Sequence, residues 1–145
     1  MGGIDPASTY IRIDFRSVKT IGAIVSKFKL QRESGDVSES GYYGAETTFS
    51  GSTVTTAEAP TDAMSATSVA AYVLGGYYSG SIVMTRSHST EPNWAYEIHS
   101  WNEVSIHSST IGRIYISGGG GIVAVIAEAP DGFDFRLGDV TIRSE

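Results

Sequence analysis

The sequence has no cysteine. That absence excludes disulfide staples, Cys-x-x-Cys redox chemistry and thiolate-held metals, and it leaves the compartment open. Proline is scarce, with 4 residues against 17 glycines, so most turns must be made from Gly, Ser, Asn and Asp. Positive charge is short as well: 10 Lys and Arg stand against 16 Asp and Glu, a net charge of −6, and only Lys27, Lys29 and Arg32 cluster. With no basic stripe to displace counterions from a phosphate backbone, nucleic acid is not an expected partner. Charged residues are 18% of the chain, so the exterior must be wetted largely by Ser, Thr and Tyr hydroxyls. Residues 1–8 lack the basic start and apolar stretch of a secretion signal and are expected to be a flexible leader or cloning remnant. One β domain is expected over residues 9–145, a length that buries an ordinary core without staples. The uncharged stretch from Ala63 to Thr85 is long enough to cross a bilayer, but glycines and hydroxyls between Gly75 and Ser81 break it, and no membrane span is expected.

What the sequence does have is alternation. Ile11, Ile13 and Phe15 alternate with Tyr10, Arg12 and Asp14, which predicts a half-buried strand over 10–15. A second strand is predicted from about Thr20 to Arg32, with Ile24, Phe28 and Leu30 on one face and Lys27, Lys29 and Gln31 on the other; it ends in the turn composition Glu33-Ser34-Gly35-Asp36. The two read as the start of a meander. From Asp36 to Pro60 the signals are weak, at 42–48 and 53–56, and predict an exposed or edge region. Thr61 to Leu74 mixes helical spacing with β-branched residues; strand is favoured from Ser68, and at most one short helix is expected. Short apolar runs follow at 81–86, 93–101, 104–107, 112–117, 122–127, 133–137 and 140–143. Residues 122–127 are apolar throughout, as in a strand buried on both faces, and Pro130-Asp131-Gly132 spells a turn. The fold class is all-β: a single antiparallel β-sandwich of jelly-roll character.

Chemistry is hard to find. His88, His99 and His107 have no metal-ligand spacing; Glu97 and His99, two apart on a strand, share a face and form the best pair of a poor set. Serines flank His88 and His107, but no Gly-x-Ser-x-Gly elbow occurs. Asp36, Asp131 and Asp139 read as solvated turn acids. The run Gly118 to Gly121 lacks the Gly-Lys-Ser/Thr ending of a phosphate loop and reads as a mobile turn between strands. No catalytic residue, metal or cofactor is therefore assigned. Aromatics are the candidates left. Alternation puts Trp94 and Tyr96 on one face and Trp101 on the other, with Glu97 and His99. Trp101 and the pairs Tyr42-Tyr43 and Tyr77-Tyr78 are the candidate ligand-binding residues, because such rings, where exposed, stack on sugars or anchor protein interfaces.

The pattern as a whole resembles the small β-sandwich domains at the distal ends of bacteriophage tail fibres and other virion appendages. The resemblance lies in Tyr10-Ile11-Arg12-Ile13-Asp14-Phe15, in Phe28-Lys29-Leu30-Gln31-Arg32 followed by Ser34-Gly35-Asp36, and in Gly80-Ser81-Ile82-Val83-Met84. It continues in Ile111-Gly112-Arg113-Ile114-Tyr115-Ile116 and in the final segment Phe133 to Arg143. It implies a non-enzymatic structural protein of the virion, made in the host cytoplasm and placed on the particle surface. It further implies a homo-oligomer, a trimer above all, that meets other virion proteins and a host-surface glycan or protein. The sequence departs from long fibres in showing no collagen-like, coiled-coil or β-helical shaft. The alternative expectation, from Trp94, Tyr96, Trp101 and the Tyr-Tyr pairs, is a carbohydrate-binding module of a secreted or surface protein.

Overall fold

A computed structural model of the chain describes residues 2–20, 26–66, 77–102, 106–118, 120–128, 135–136 and 139–145, and every regular element among them is a β-strand. In chain order these are β1 (Tyr10–Thr20), β2 (Ser26–Arg32), β3 (Tyr42–Ser50), β4 (Thr53–Glu58), β5 (Met64–Ala66) and β6 (Tyr77–Thr85). They continue as β7 (Asn93–Asn102), β8 (Ile106–Tyr115), β9 (Ile122–Glu128), β10 (Phe135–Arg136) and β11 (Asp139–Ser144).

All described pairings are antiparallel, and they build two sheets. The larger runs β10-β1-β6-β7-β8-β3-β4, with β11 also paired to β1; the smaller is β5-β2-β9. The smaller sheet covers one face of the larger in a sandwich-like arrangement. Along β7 the alternation of the sequence becomes burial, with Trp94, Tyr96 and Ile98 facing in and Ala95, Glu97 and His99 facing out. The inward residues of β1, β6 and β8, among them Ile11, Ile13, Ile82, Met84 and Ile114, join Phe28, Leu30, Met64 and Val125 of the small sheet in one core. Each such side chain contributes about 1.5–3 kcal/mol on burial. Phe15 of β1 stacks on Phe28 of β2 across the layers at 6.0 Å. The Tyr42 hydroxyl ties the layers a second time, accepting the Leu30 N–H and donating to the Ser38 carbonyl, both at 3.0 Å.

Several expectations need correction. Tyr10–Phe15 and the strand after it do not form a meander, because β1 pairs with β6, β10 and β11 while β2 pairs with β5 and β9. The strands divide eight and three among the described residues, an order that does not establish a jelly roll. The weak region 36–60 holds β3, which lies inside the large sheet between β8 and β4, and only β4 is an edge. The described part of the run expected at 104–107 and most of the run expected at 112–117 fall in one strand, β8, with Ser108 and Thr110 buried between them. In β9 the residues Ile122, Ala124 and Val125 are buried while Val123, Ile126 and Ala127 are only half-buried, so the strand is not enclosed on both faces.

Residues 4–8 are not a loose leader either. Ile4 is in the core, its N–H bonds the Val123 carbonyl at 3.2 Å, and the Arg86 guanidinium holds the carbonyls of Pro6 and Ser8 at 2.8 Å. Gly120 and Gly121 of the glycine run are pinned as well: Gly121 N–H donates to Glu33 Oε2 at 2.9 Å, and side-chain atoms at Gly120 or Gly121 would collide with the Glu33 carboxylate or the Pro6 carbonyl. The turn at 130–132 and the helix-or-strand question at 67–74 lie outside the described residues.

Candidate functional site

The face of the large sheet turned away from the small one carries the side chains that remain for recognition. Register places them in rows. Val54 of β4 pairs with Phe49 of β3, Phe49 with His107 of β8, His107 with Trp101 of β7, and Trp101 with Ser79 of β6. Strands lie about 4.8 Å apart, so these residues form a line across the sheet rather than along one strand. Phe49 is 42% exposed and Trp101 46%. The Trp101 and His107 rings stack at 6.5 Å with 27° between their planes, so the imidazole braces the indole.

The next row is polar: Thr56, Thr47, Ser109, His99 and Ser81 follow one another from β4 to β6. His99 bonds the Glu97 carboxylate two residues before it, the pairing its shared strand face predicts. Together Phe49, Trp101, His107, His99, Ser109 and their neighbours line an open depression of about 800 Å3. Chemically this is an apolar ledge beside hydroxyls and one ion pair.

Farther along the same face, Arg113 lies over the Tyr43 ring at 5.4 Å. At the far side Arg12 grips both Asp14 oxygens at 2.9 to 3.1 Å; this fork bond holds the Asp14 carboxyl below its ordinary range and raises the Arg12 guanidinium. Arg12–Asp14 and Glu97–His99 are thus ion pairs at the surface of this face. His88 is elsewhere, in the loop before β7, with Thr90 at 2.9 Å. Among the described residues no three His, Asp or Glu side chains gather as a metal would need. No helix among them is long and apolar enough to cross a membrane.

The candidate aromatics separate. Trp101 and Tyr43 are exposed on the outer face, two rows or more apart. Tyr42 is fully buried, and burial pushes its phenol up to about 12, so it is a core residue and not a ligand contact. Its neighbour Tyr43 points outward because successive strand side chains change face. Tyr77 and Tyr78 begin β6 beside β1 and β7; their side chains lie outside the described residues. Sequence reasoning missed Phe49, Val54 and Ile111. Phe49 and Ile111 sit at outward positions whose strand neighbours, Thr48 and Thr110, give no apolar contrast, and only the pairing of β3 with β8 reveals the row.

Comparison of the chain with known protein families, curated proteins and solved structures returned no match.

Proposed function

We propose that the protein is a non-enzymatic attachment and assembly domain of the virion-appendage kind, which touches its partner through the outer face of the large sheet around Trp101. The observation that carries this reading is the exposed line Val54, Phe49, His107 and Trp101 beside the polar row Thr56, Thr47, Ser109 and His99. Large rings held at 40–50% exposure are costly to solvate and serve as anchors when a partner removes them from water. The ion pairs Arg12–Asp14 and Glu97–His99 sit in solvent at the surface, which suits recognition better than chemistry. The resemblance supplies the rest of the proposal: a bacteriophage particle surface, other virion proteins as neighbours, a host surface as the target, and a trimer as the assembled form.

A second reading, a carbohydrate-binding module, is favoured by one detail. The braced indole of Trp101 lies beside Ser79, His99 and Ser109, a stacking surface next to hydrogen-bonding groups, which suits a neutral sugar.

One experiment tests both. Labelled protein is applied to a glycan array and to intact bacterial cells, with Trp101→Ala and Phe49→Ala beside the unaltered chain. The expected result is cell binding that falls by about tenfold or more in Trp101→Ala, the loss of an interface anchor. Saccharide binding that Trp101→Ala abolishes would select the second reading. Cell binding that is the same in all three proteins would overturn the proposal.

A further inference from the structure

Edge strands offer unpaired backbone groups, and natural sheets protect them with Lys, Pro, bulges or covering segments. Among the described residues, two of the other edges are protected. β10 and β11 divide one edge of the large sheet, with Arg143 on β11, and Ile4 bonds the Val123 carbonyl of β9. β4 is different. All six residues, Thr53-Val54-Thr55-Thr56-Ala57-Glu58, are exposed, the register to β3 runs without a bulge, and the only charge is the last residue.

The hairpin fixes which backbone groups face outward. Ser50 pairs with Thr53 across the two-residue turn Gly51-Ser52, and such a turn is closed by a hydrogen-bonded pair. Alternation then turns Thr53, Thr55 and Ala57 toward β3, and leaves the N–H and C=O of Val54, Thr56 and Glu58 pointing away from the sheet.

We propose that a second copy of this chain pairs with β4, antiparallel and about a two-fold axis through Thr56, so that Val54 meets Glu58 of the other copy and Thr56 meets Thr56. Only this register matches every outward residue with an outward residue, making about six backbone hydrogen bonds. It keeps the outer faces of both copies on one side, because directly opposed residues in the pair share a face. It also separates like charges, since Glu58 lies against Val54 and the two Glu58 side chains stand about 13 Å apart along the strands. A single pair of strands buries an area at the low end for specific interfaces, so the dimer forms in roughly the micromolar range. The contact is isologous and shares only Val54 with the Trp101 ledge; in an assembly made through another face it joins assemblies in pairs.

Sedimentation equilibrium from about 1 μM to 1 mM reads the proposal directly. The mass is expected to double across the range. Thr56→Pro removes the central intermolecular N–H without touching the bonds to β3, and is expected to weaken pairing by about tenfold or more while circular dichroism stays unchanged. Val54→Glu places like charges opposite each other and weakens pairing most at low salt; adding Glu58→Lys then faces each new Glu with a new Lys and restores it. A mass that never doubles would overturn the proposal, and so would a charge-swapped chain that associates no better than Val54→Glu alone. If the proline variant does not fold, the charge swap decides alone, because it leaves the backbone as it is.

Discussion

Trp94 and Trp101 belong to one strand, β7, yet one is 2% exposed and the other 46%. They are seven positions apart, and an odd offset puts two strand residues on opposite faces. Trp94 lies inside with the Arg86 guanidinium 4.5 Å above its ring, and desolvation lowers the basicity of that guanidinium while it holds two carbonyls near the start of the chain. Trp101 lies outside, stacked on His107. The comparison teaches that residue type says little about role in this sheet, and that parity along the strand says much. Core aromatics should therefore govern stability, and outer aromatics should be nearly free to change as far as folding is concerned.

The largest effect should come from Trp94→Ala. Removing the ring leaves a cavity under Arg86 and is expected to cost about 3–5 kcal/mol, read from the midpoint and slope of urea unfolding. A loss below about 1 kcal/mol would break the comparison at once, since it would mean that the inner face tolerates such a hole.

Next comes Tyr42→Phe, which keeps the ring and removes the hydroxyl that joins Leu30 to Ser38. Leaving those backbone groups unpaired is expected to cost about 1–3 kcal/mol. The same residue predicts an alkaline transition. Burial raises the phenols of Tyr42 and Tyr96 from 10.0 to about 12, so above pH 10 the unfolded chain has released protons that the folded chain keeps. Stability is then complete below pH 10 and falls as pH rises toward 12. Unfolding midpoints measured from pH 8 upward should show this fall, and Tyr42→Phe should make it shallower.

The sequence made the faces legible wherever apolar and polar residues alternate, as in Tyr10–Phe15 and Trp94–Trp101, because a strand's period of two converts directly into inside and outside. It failed where a buried position carries a hydroxyl. Ser108 and Thr110 face inward in β8 and split one strand into two apparent runs, and Glu46 and Thr48 blur β3 in the same way. Tyr42 was misplaced for a related reason: two adjacent tyrosines look alike, and only the pairing of β3 with β8 shows which one faces Leu30. Sheet order was illegible too, since β1 and β2 are neighbours in sequence but lie in different layers, joined by the Phe15–Phe28 contact rather than by hydrogen bonds. The recognition ledge combines residues of β3, β4, β7 and β8 and exists only after those strands are in register.

A smaller effect sharpens the comparison at the surface of the small sheet. Lys27 Nζ lies 2.8 Å from Asp62, and that bond holds the carboxyl below its ordinary 3.8. Both groups are partly solvated, so Lys27→Met is expected to cost about 0.2–1 kcal/mol. The sign follows from the lowered carboxyl: its contribution is present above pH 4 and disappears as pH falls below 3.8, where the folded chain too becomes protonated. A difference between Lys27→Met and the unaltered chain that persists unchanged in strong acid would show that packing, not charge, was lost.

The smallest effect on folding should be that of Trp101→Ala. Its ring touches His107 on a face open to water and is about half exposed, so truncation removes far less buried apolar area than at Trp94, and the expected cost is below about 1 kcal/mol. Placed beside Trp94→Ala on the same strand, the two substitutions delete the same side chain from opposite faces, which cancels any difference in residue type or strand propensity. A large folding cost at Trp101 would mean that the outer face is packed by something in the folded chain, and the line from Val54 to Trp101 could not then serve as a free ledge. A negligible cost, together with lost attachment, would assign the ring to recognition, because the only contacts left for it to make are with a molecule other than its own domain.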